Sequence, residues 1–278
     1  MPSIQRALVA LSVGLGLLAA AQAAPVSSTA QANVQVLPTP FAVPGLNRAH
    51  TVRLYLPPGY AKGEARYPVI YMHDGQNLFD DATASAGEWG VDETLNALAR
   101  ERGFEAIVVG VDSAAAQRMT ELNPWNHASF GHGDGQAYIE FITGTVKPWI
   151  DAHYRTQPGP DSTAIIGSDM GGLVSQAAAL RHPEVFGRVG VLSPAYWTAP
   201  ALFDEVQKHP LPAGARVYLA MGDREGPNEI DLVKRMQALL SRQPASVTLH
   251  IEPRGMHNEA AWREEFRRAV QWLFQLPE

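Results

Sequence analysis

No cysteine occurs anywhere in the 278 residues. That removes disulfides as a source of stability and rules out lipid attachment through an N-terminal cysteine. A domain of this length buries enough surface to fold without such staples. Basic blocks are missing too: 22 Lys and Arg stand against 28 Asp and Glu, for a net charge of −6. Without a basic stripe there is no electrostatic footprint for nucleic acid, and a small neutral or cationic molecule is the expected substrate or ligand. No internal repeat and no interdomain linker breaks the chain, and no short ligand motif calls for a metal or any other cofactor. The apolar run from Ala7 to Leu18 is too short and too weakly flanked to span a bilayer. With Arg6 before it and Ala21-Gln22-Ala23 after it, the run has the form of a secretory signal. The expectation is a signal peptide over residues 1–23, a leader over 24–45 and one domain over 46–278. No integral membrane segment would remain after cleavage, and the destination would be periplasmic or secreted.

What the chain does have is apolar residues, 46% of the total, arranged in short runs between helical stretches. Residues 51–56 alternate and carry β-branched and aromatic side chains, the pattern of a strand. Residues 67–72, 106–111 and 189–193 are more continuous, as strands covered on both faces are. Residues 216–221 and 246–251 complete the strand set around the stretch ending at Ile166. Residues 89–92 lead into a helix through Arg100, with Asp92 as cap, and helical spacing follows over 138–154, where Gly144 and Pro148 should bend or interrupt it. It returns over 173–182 and 230–241, and again from Asn258 to about Leu276. Strands alternating with helices predict the α/β class: one domain, a mostly parallel central sheet and helices on both faces. Ligands of such sheets bind beyond the carboxyl ends of the strands. One connection, 112–135, is long and rich in Asn, Gly, His and aromatic residues, which marks it as a functional loop.

One stretch organises the rest. Ala164-Ile165-Ile166 runs into Gly167-Ser168-Asp169-Met170-Gly171-Gly172 and then into a helix. Strand, tight turn and helix are the form of a nucleophile elbow, G-x-S-x-G, with Asp169 where the serine would stand. Three strand ends then offer Asp169, Asp223 or Glu225, and His257, the chain order of nucleophile, acid and histidine in α/β-hydrolases.

Segments across the chain carry a family resemblance: YPVIYMHDGQNLF (67–79), EWGVDETL (88–95), KPWIDAHYRT (147–156), IGSDMGGL (166–173), PEVFGRVGVLSPAYW (183–197) and HNEAAW (257–262). The chain resembles the putative-esterase family of α/β-hydrolases, which includes esterase D-like, feruloyl and siderophore esterases. The family pattern at the elbow is G-S-S-M-G-G, so only the nucleophile departs from it. The resemblance implies His257 as catalytic base and Glu225, in a G-x-x-E pattern, as the acid that orients it, with Asp223 as rival. The backbone N–H groups of Met170 and Gln76 would bind the oxyanion. The long connection would lie at the pocket mouth, bringing Arg118, Glu121 and Tyr138 there, with Trp125 and Trp197 as aromatic walls.

Asp169 changes the chemistry. A serine is neutral and needs a base; an aspartate is an anion at neutral pH and a weak nucleophile. After attack on an ester, the carboxylate is a better leaving group than the alkoxide, so the step reverses. Three readings follow. Asp169 attacks a saturated carbon, as the elbow aspartates of haloalkane dehalogenases and epoxide hydrolases do. Or the chain is a catalytically impaired binding protein. Or hydrolysis proceeds by general-base attack of water, or through Ser168, which is expected to point away from the pocket.

Overall fold

In the computed structural model, which describes residues 27–277, ten strands and eight α-helices succeed one another. The expected signal segment, 1–23, lies outside the described residues. Eight strands form one sheet in the order β1-β4-β6-β5-β7-β8-β9-β10. These are β1 (Val34–Val36), β4 (Val52–Tyr55), β5 (Val69–His73), β6 (Ile107–Val111), β7 (Thr163–Ser168), β8 (Arg188–Leu192), β9 (Arg216–Gly222) and β10 (Ser246–Glu252). From β6 to β10 every pairing is parallel; β1 and β4 add an antiparallel edge. β2 (Phe41–Ala42) and β3 (Ala49–His50) form a separate ribbon. The expected α/β architecture is thus present.

Strand residues alternate between two cores. Val69, Tyr71 and Ile165 face a core shared with α3 (Gly135–Phe141), α4 (Lys147–His153), α5 (Met170–Arg181), α6 (Leu202–Lys208) and α7 (Pro227–Leu240). Ile70, Met72 and Ile166 face the opposite core with α1 (Val91–Arg102) and α8 (Glu259–Leu273). Successive side chains of a strand point to opposite faces, so a strand covered on both sides is apolar throughout. The central helix α5 is buried almost all round, which is why its sequence shows no polar face.

Two differences from the sequence reading, and one agreement with it, have local causes. Residues within the expected leader are structured: Val34–Val36 pairs with β4, and Ser28, Thr29 and Gln31 hydrogen-bond Asp80, Asp92 and Glu93. A three-residue edge strand is too short to show periodicity. The 138–154 helix is interrupted, as Gly144 suggested, by a π-helical turn, Ile142–Val146, with Pro148 in the first turn of α4 where its missing N–H costs nothing. Asp92 does not cap α1. Gly90 does, at φ 59°, and Asp92 is buried inside the first turn, accepting the Gln31 N–H at 2.8 Å.

Parallel register brings the strand ends together. Ser168 lies opposite Leu192, Leu192 opposite Ala220, and Glu252 opposite Gly222. The residues just beyond these ends converge at one rim of the sheet.

Candidate active site

Asp169 stands at the tip of the turn between β7 and α5 with φ 54° and ψ −119°. A non-glycine residue in that region costs on the order of 1–3 kcal/mol and persists only where its surroundings enforce it. The Asp169 N–H donates to Leu192 O at 3.0 Å, and its carbonyl accepts from Leu173 and Ala195 N–H at 3.1 Å each. Gly167 must be glycine here, because a Cβ would sit 2.6 Å from the Gly171 backbone. Strand and helix therefore meet closely enough to hold the bend.

His257 follows β10 and Glu225 follows β9. The two loops touch: a Cβ on Gly222 would lie 2.3 Å from the Gly255 carbonyl carbon. His257 Nδ1 is 2.8 Å from Glu225 Oε2. The other Glu225 oxygen accepts from Ser193 Oγ at 2.6 Å and from the Gly222 N–H at 2.7 Å. Ser193 Oγ in turn accepts from Trp262 Nε1 at 2.9 Å, and the Trp262 ring meets the His257 ring edge-on at 4.9 Å. The rival carboxylate, Asp223, turns instead to the Arg254 N–H at 2.6 Å. Burial opposes charge on Glu225, but the His257, Ser193 and Gly222 hydrogen bonds outweigh it and hold its pKa below the ordinary value. On His257, burial also opposes the charged form. The Glu225 hydrogen bond and the charges of Asp169 and Glu225 outweigh that, so its pKa is raised.

His257 Nε2 is 3.7 Å from Asp169 Oδ1, beyond hydrogen-bonding distance. Asp169 Oδ2 accepts from Arg118 Nη1 at 2.8 Å. The same guanidinium grips Asp74 with two bonds of 2.8 Å, one to each oxygen. Arg118 lies on α2 (Arg118–Glu121), a single turn within the long connection. Asp74 opens the turn after β5 at φ 54°. Burial raises the Asp74 pKa, but Arg118 more than reverses this and lowers it. One cation is thus shared by two carboxylates.

The first turns of a helix leave backbone N–H groups without an intrahelical partner. Met170 opens α5, and Gln76 lies in the 3₁₀ turn Gly75–Asn77, so both sequence-predicted donors occupy such positions. The Gln76 side chain is clamped to Ser113, Nε2 donating to Oγ at 3.0 Å and Oε1 accepting from the Ser113 N–H at 3.1 Å. Beneath the elbow His73 is buried between the Tyr138 hydroxyl at 2.8 Å and Ser175 Oγ at 3.0 Å. Its burial pushes its pKa down to about 4, so it stays neutral.

A cavity of about 460 Å³ opens beside Asp169, its wall including Asp74, Gln76, Arg118, Trp89, Glu259 and Trp262. Ser168 also borders it, although it is buried. Trp125 and Trp197 are not among its lining: Trp125 packs under Arg181, and the exposed Trp197 clusters with His127 and Phe130. Glu121 is fully buried against His50 and Arg48, and Tyr138 supports His73, so neither reaches the mouth. Sequence reasoning missed Asp74, Ser193, Trp89 and Ser113. Ser193 carried a signal, since it directly follows β8 at the rim where the other strand ends converge.

An elbow on the central strand, followed in chain order by an acid and a histidine beyond later strands, is the arrangement of an α/β-hydrolase. Residues 44–273 match the model of the putative-esterase family, and the chain belongs to that family. It is 29% identical to YbbA of Bacillus subtilis, over 82% of this chain and 93% of that protein. It is 25% identical to an endo-1,4-β-xylanase/feruloyl esterase of Xylanibacter ruminicola, over 82% of this chain but 30% of that one. The fold superposes on the BES protein of Bacillus cereus with a TM-score of 0.74 at 15% identity, covering 91% of this chain and 98% of the other. Among the described residues no helix is long and apolar enough to cross a membrane.

Proposed function

We propose that the protein hydrolyses small esters by general-base attack of water, with the Glu225–His257 pair as the base and no acyl-enzyme on the elbow residue. The observation that carries this reading is the His257 ring. Nδ1 is committed to Glu225, while Nε2 faces the elbow tip at a distance that leaves room for a water beside it. Such a water donates one hydrogen to the neutral imidazole and the other to Asp169 Oδ1. His257 takes the first proton as the oxygen adds to the ester carbonyl, and the Met170 and Gln76 N–H groups receive the oxyanion. Collapse expels the alkoxide, which recovers the proton from His257. Arg118 offsets the Asp169 charge that would otherwise oppose the oxyanion. The cavity wall carries Asp74, Asp169 and Glu259 against Arg118, which favours neutral or cationic substrates, and Trp89 and Trp262 offer flat surfaces to an aromatic group. The feruloyl esterase relative is consistent with such a group.

The test is a panel of small activated and aromatic esters assayed with the wild type and His257→Ala. Slow turnover that disappears in the variant is expected; turnover equal to the variant's on every ester sinks the proposal. A second reading has its own observation: Arg118 holds only Oδ2 of Asp169, leaving Oδ1 to attack an epoxide or haloalkane carbon. Single turnover in ¹⁸O-water separates the two. Label entering Asp169 means a covalent aspartyl ester, and label entering only the product acid means direct attack by water.

The proposal extends to export, supported by Arg6, the apolar run after it and Ala21-Gln22-Ala23. N-terminal sequencing of protein recovered from the periplasm or medium should start near Ala24, whereas an intact Met1 would count against it.

A further inference from the structure

A second group of carboxylates lies behind the Trp89 wall of the cavity. Glu88, Asp92 and Glu93 each bring one oxygen to a point where the three lie within 4.8 Å of one another. Two of these residues are inside the protein: Asp92 is 0% exposed and Glu88 6%. Asp92 Oδ1 and Glu88 Oε2 are buried with no hydrogen-bond partner among the described residues. Leaving buried carboxylate oxygens unmatched is costly, and native structures avoid it unless something else occupies the gap.

The surroundings are built to hold the group in place. The segment ending at Gln31 straps across it, with the Gln31 N–H on Asp92 Oδ2 at 2.8 Å and its side-chain amide on Glu93 Oε1 at 2.8 Å. The Glu88 N–H donates to Asp81 Oδ1 at 2.9 Å. From α8, Arg263 donates to the Glu88 and Trp89 carbonyls at 2.7 and 3.2 Å. Asp92 and Glu93 sit in the first turn of α1, where the helix terminus attracts negative charge. That attraction accounts for acids at these positions, but not for two buried oxygens that face no donor.

We propose that Glu88, Asp92 and Glu93 form a binding site for one hard divalent cation, calcium in kind. All available ligands are oxygens, the preference of Ca²⁺ and Mg²⁺. They come from a loop and from two consecutive residues of a helix turn. That irregular set suits the flexible six- to eight-oxygen shell of calcium better than the near-ideal octahedron of magnesium, with water completing the shell. A doubly charged ion together with the Arg263 guanidinium balances the three carboxylates. The ion would tie the N-terminal strap to α1 and brace Trp89, and with it one wall of the cavity.

The test is thermal unfolding of the purified chain after chelator treatment, with calcium then titrated in, beside calorimetry for stoichiometry. One ion per chain is expected, with a melting temperature raised by roughly 5–10 °C at calcium a hundredfold above its dissociation constant. Asp92→Asn should abolish the shift. Glu93→Gln, at an exposed position that keeps the Gln31 contact, should do the same and serves if the buried variant fails to fold. No response to calcium overturns the proposal, as does a shift that survives in both variants. A response to zinc or manganese without one to calcium overturns the hard-cation assignment.

Discussion

Two carboxylate clusters lie on either side of the Trp89 wall, and they are balanced differently. At the elbow, Asp74 and Asp169 share Arg118, and Glu225 has His257, Ser193 and a backbone N–H. Behind the wall, Glu88 and Asp92 are buried as well, yet one oxygen of each has no hydrogen-bond partner among the described residues. The difference teaches where the chain carries its own counterion. At the candidate site a fixed guanidinium offsets the charge of the elbow aspartate, beside the Met170 and Gln76 N–H groups proposed to receive an oxyanion. In the other cluster balance has to come from a proton or from an ion in solution.

The largest effect should come from removing the elbow carboxylate. Asp169→Ser presents a hydroxyl to the same imidazole and opens a covalent route, so ester hydrolysis should rise by at least about 100-fold, because a nucleophile fixed in the site replaces a water that has to be positioned. Stopped-flow assays should also show a burst of alcohol from acylation. An unchanged rate would mean that the cavity, and not only the nucleophile, has diverged from ester hydrolysis.

Next in size is the loss of the shared cation. Arg118→Met leaves Asp74 largely buried and unpaired, and should cost about 3 kcal/mol in urea unfolding, at the low end for breaking a buried pair. Adding Asp74→Asn should recover most of it, since the more deeply buried of the two orphaned charges is then gone. If the single variant is as stable as the wild type, the neutralisation argument for the elbow fails.

How much of this was legible depends on how local the cause is. The elbow could be read because its glycines are forced by contacts within a few residues, as Gly167 against Gly171 is. The Glu225–His257 pair could be read because each directly follows a strand of a parallel sheet. Asp74 and Arg118 are 44 residues apart, joined only because β5 and β6 are neighbours, and an Asp-Gly dipeptide alone reads as an ordinary turn. The cavity tryptophans were misplaced for the same reason. Trp89 and Trp262 meet at 5.7 Å from distant parts of the chain, whereas Trp125 lies inside the long connection and Trp197 shortly after the end of β8, positions that suggest a pocket wall only from sequence. Asp92 at a helix start looks like a cap, and only burial reveals otherwise.

Asp92→Asn should act with the opposite sign to Arg118→Met. In chelator, burial pushes the Asp92 pKa up to about 8, so its carboxyl takes up a proton on folding between pH 4 and 8. A raised carboxyl contributes stability that is full below its unfolded value and fades as pH rises through the folded one. The amide carries no such penalty. The variant should therefore be more stable than the wild type at neutral pH by about 1 kcal/mol, with the gain growing from pH 5 to 8. In saturating calcium the order should reverse, because only the wild type binds the ion. An advantage independent of pH would mean that Asp92 is not held in an uncompensated site.

The smallest effect concerns how far the elbow charge reaches. His257 must be neutral to act as base, and its pKa is raised, so kcat/KM should climb with pH above the ordinary histidine value of about 6.5. Linkage runs the other way: a histidine whose charged form the fold favours adds stability below about pH 6.5 and loses it as pH rises through the folded value. Activity should therefore rise over the window in which stability falls. Asp169→Asn removes one of the charges that raise this pKa and leaves Glu225 in place. The activity limb should move to lower pH, while the Glu225 hydrogen bond keeps the ring oriented. If the limb stays where it is, Arg118 screens Asp169 completely from His257, and the two carboxylates of the site act as separate units.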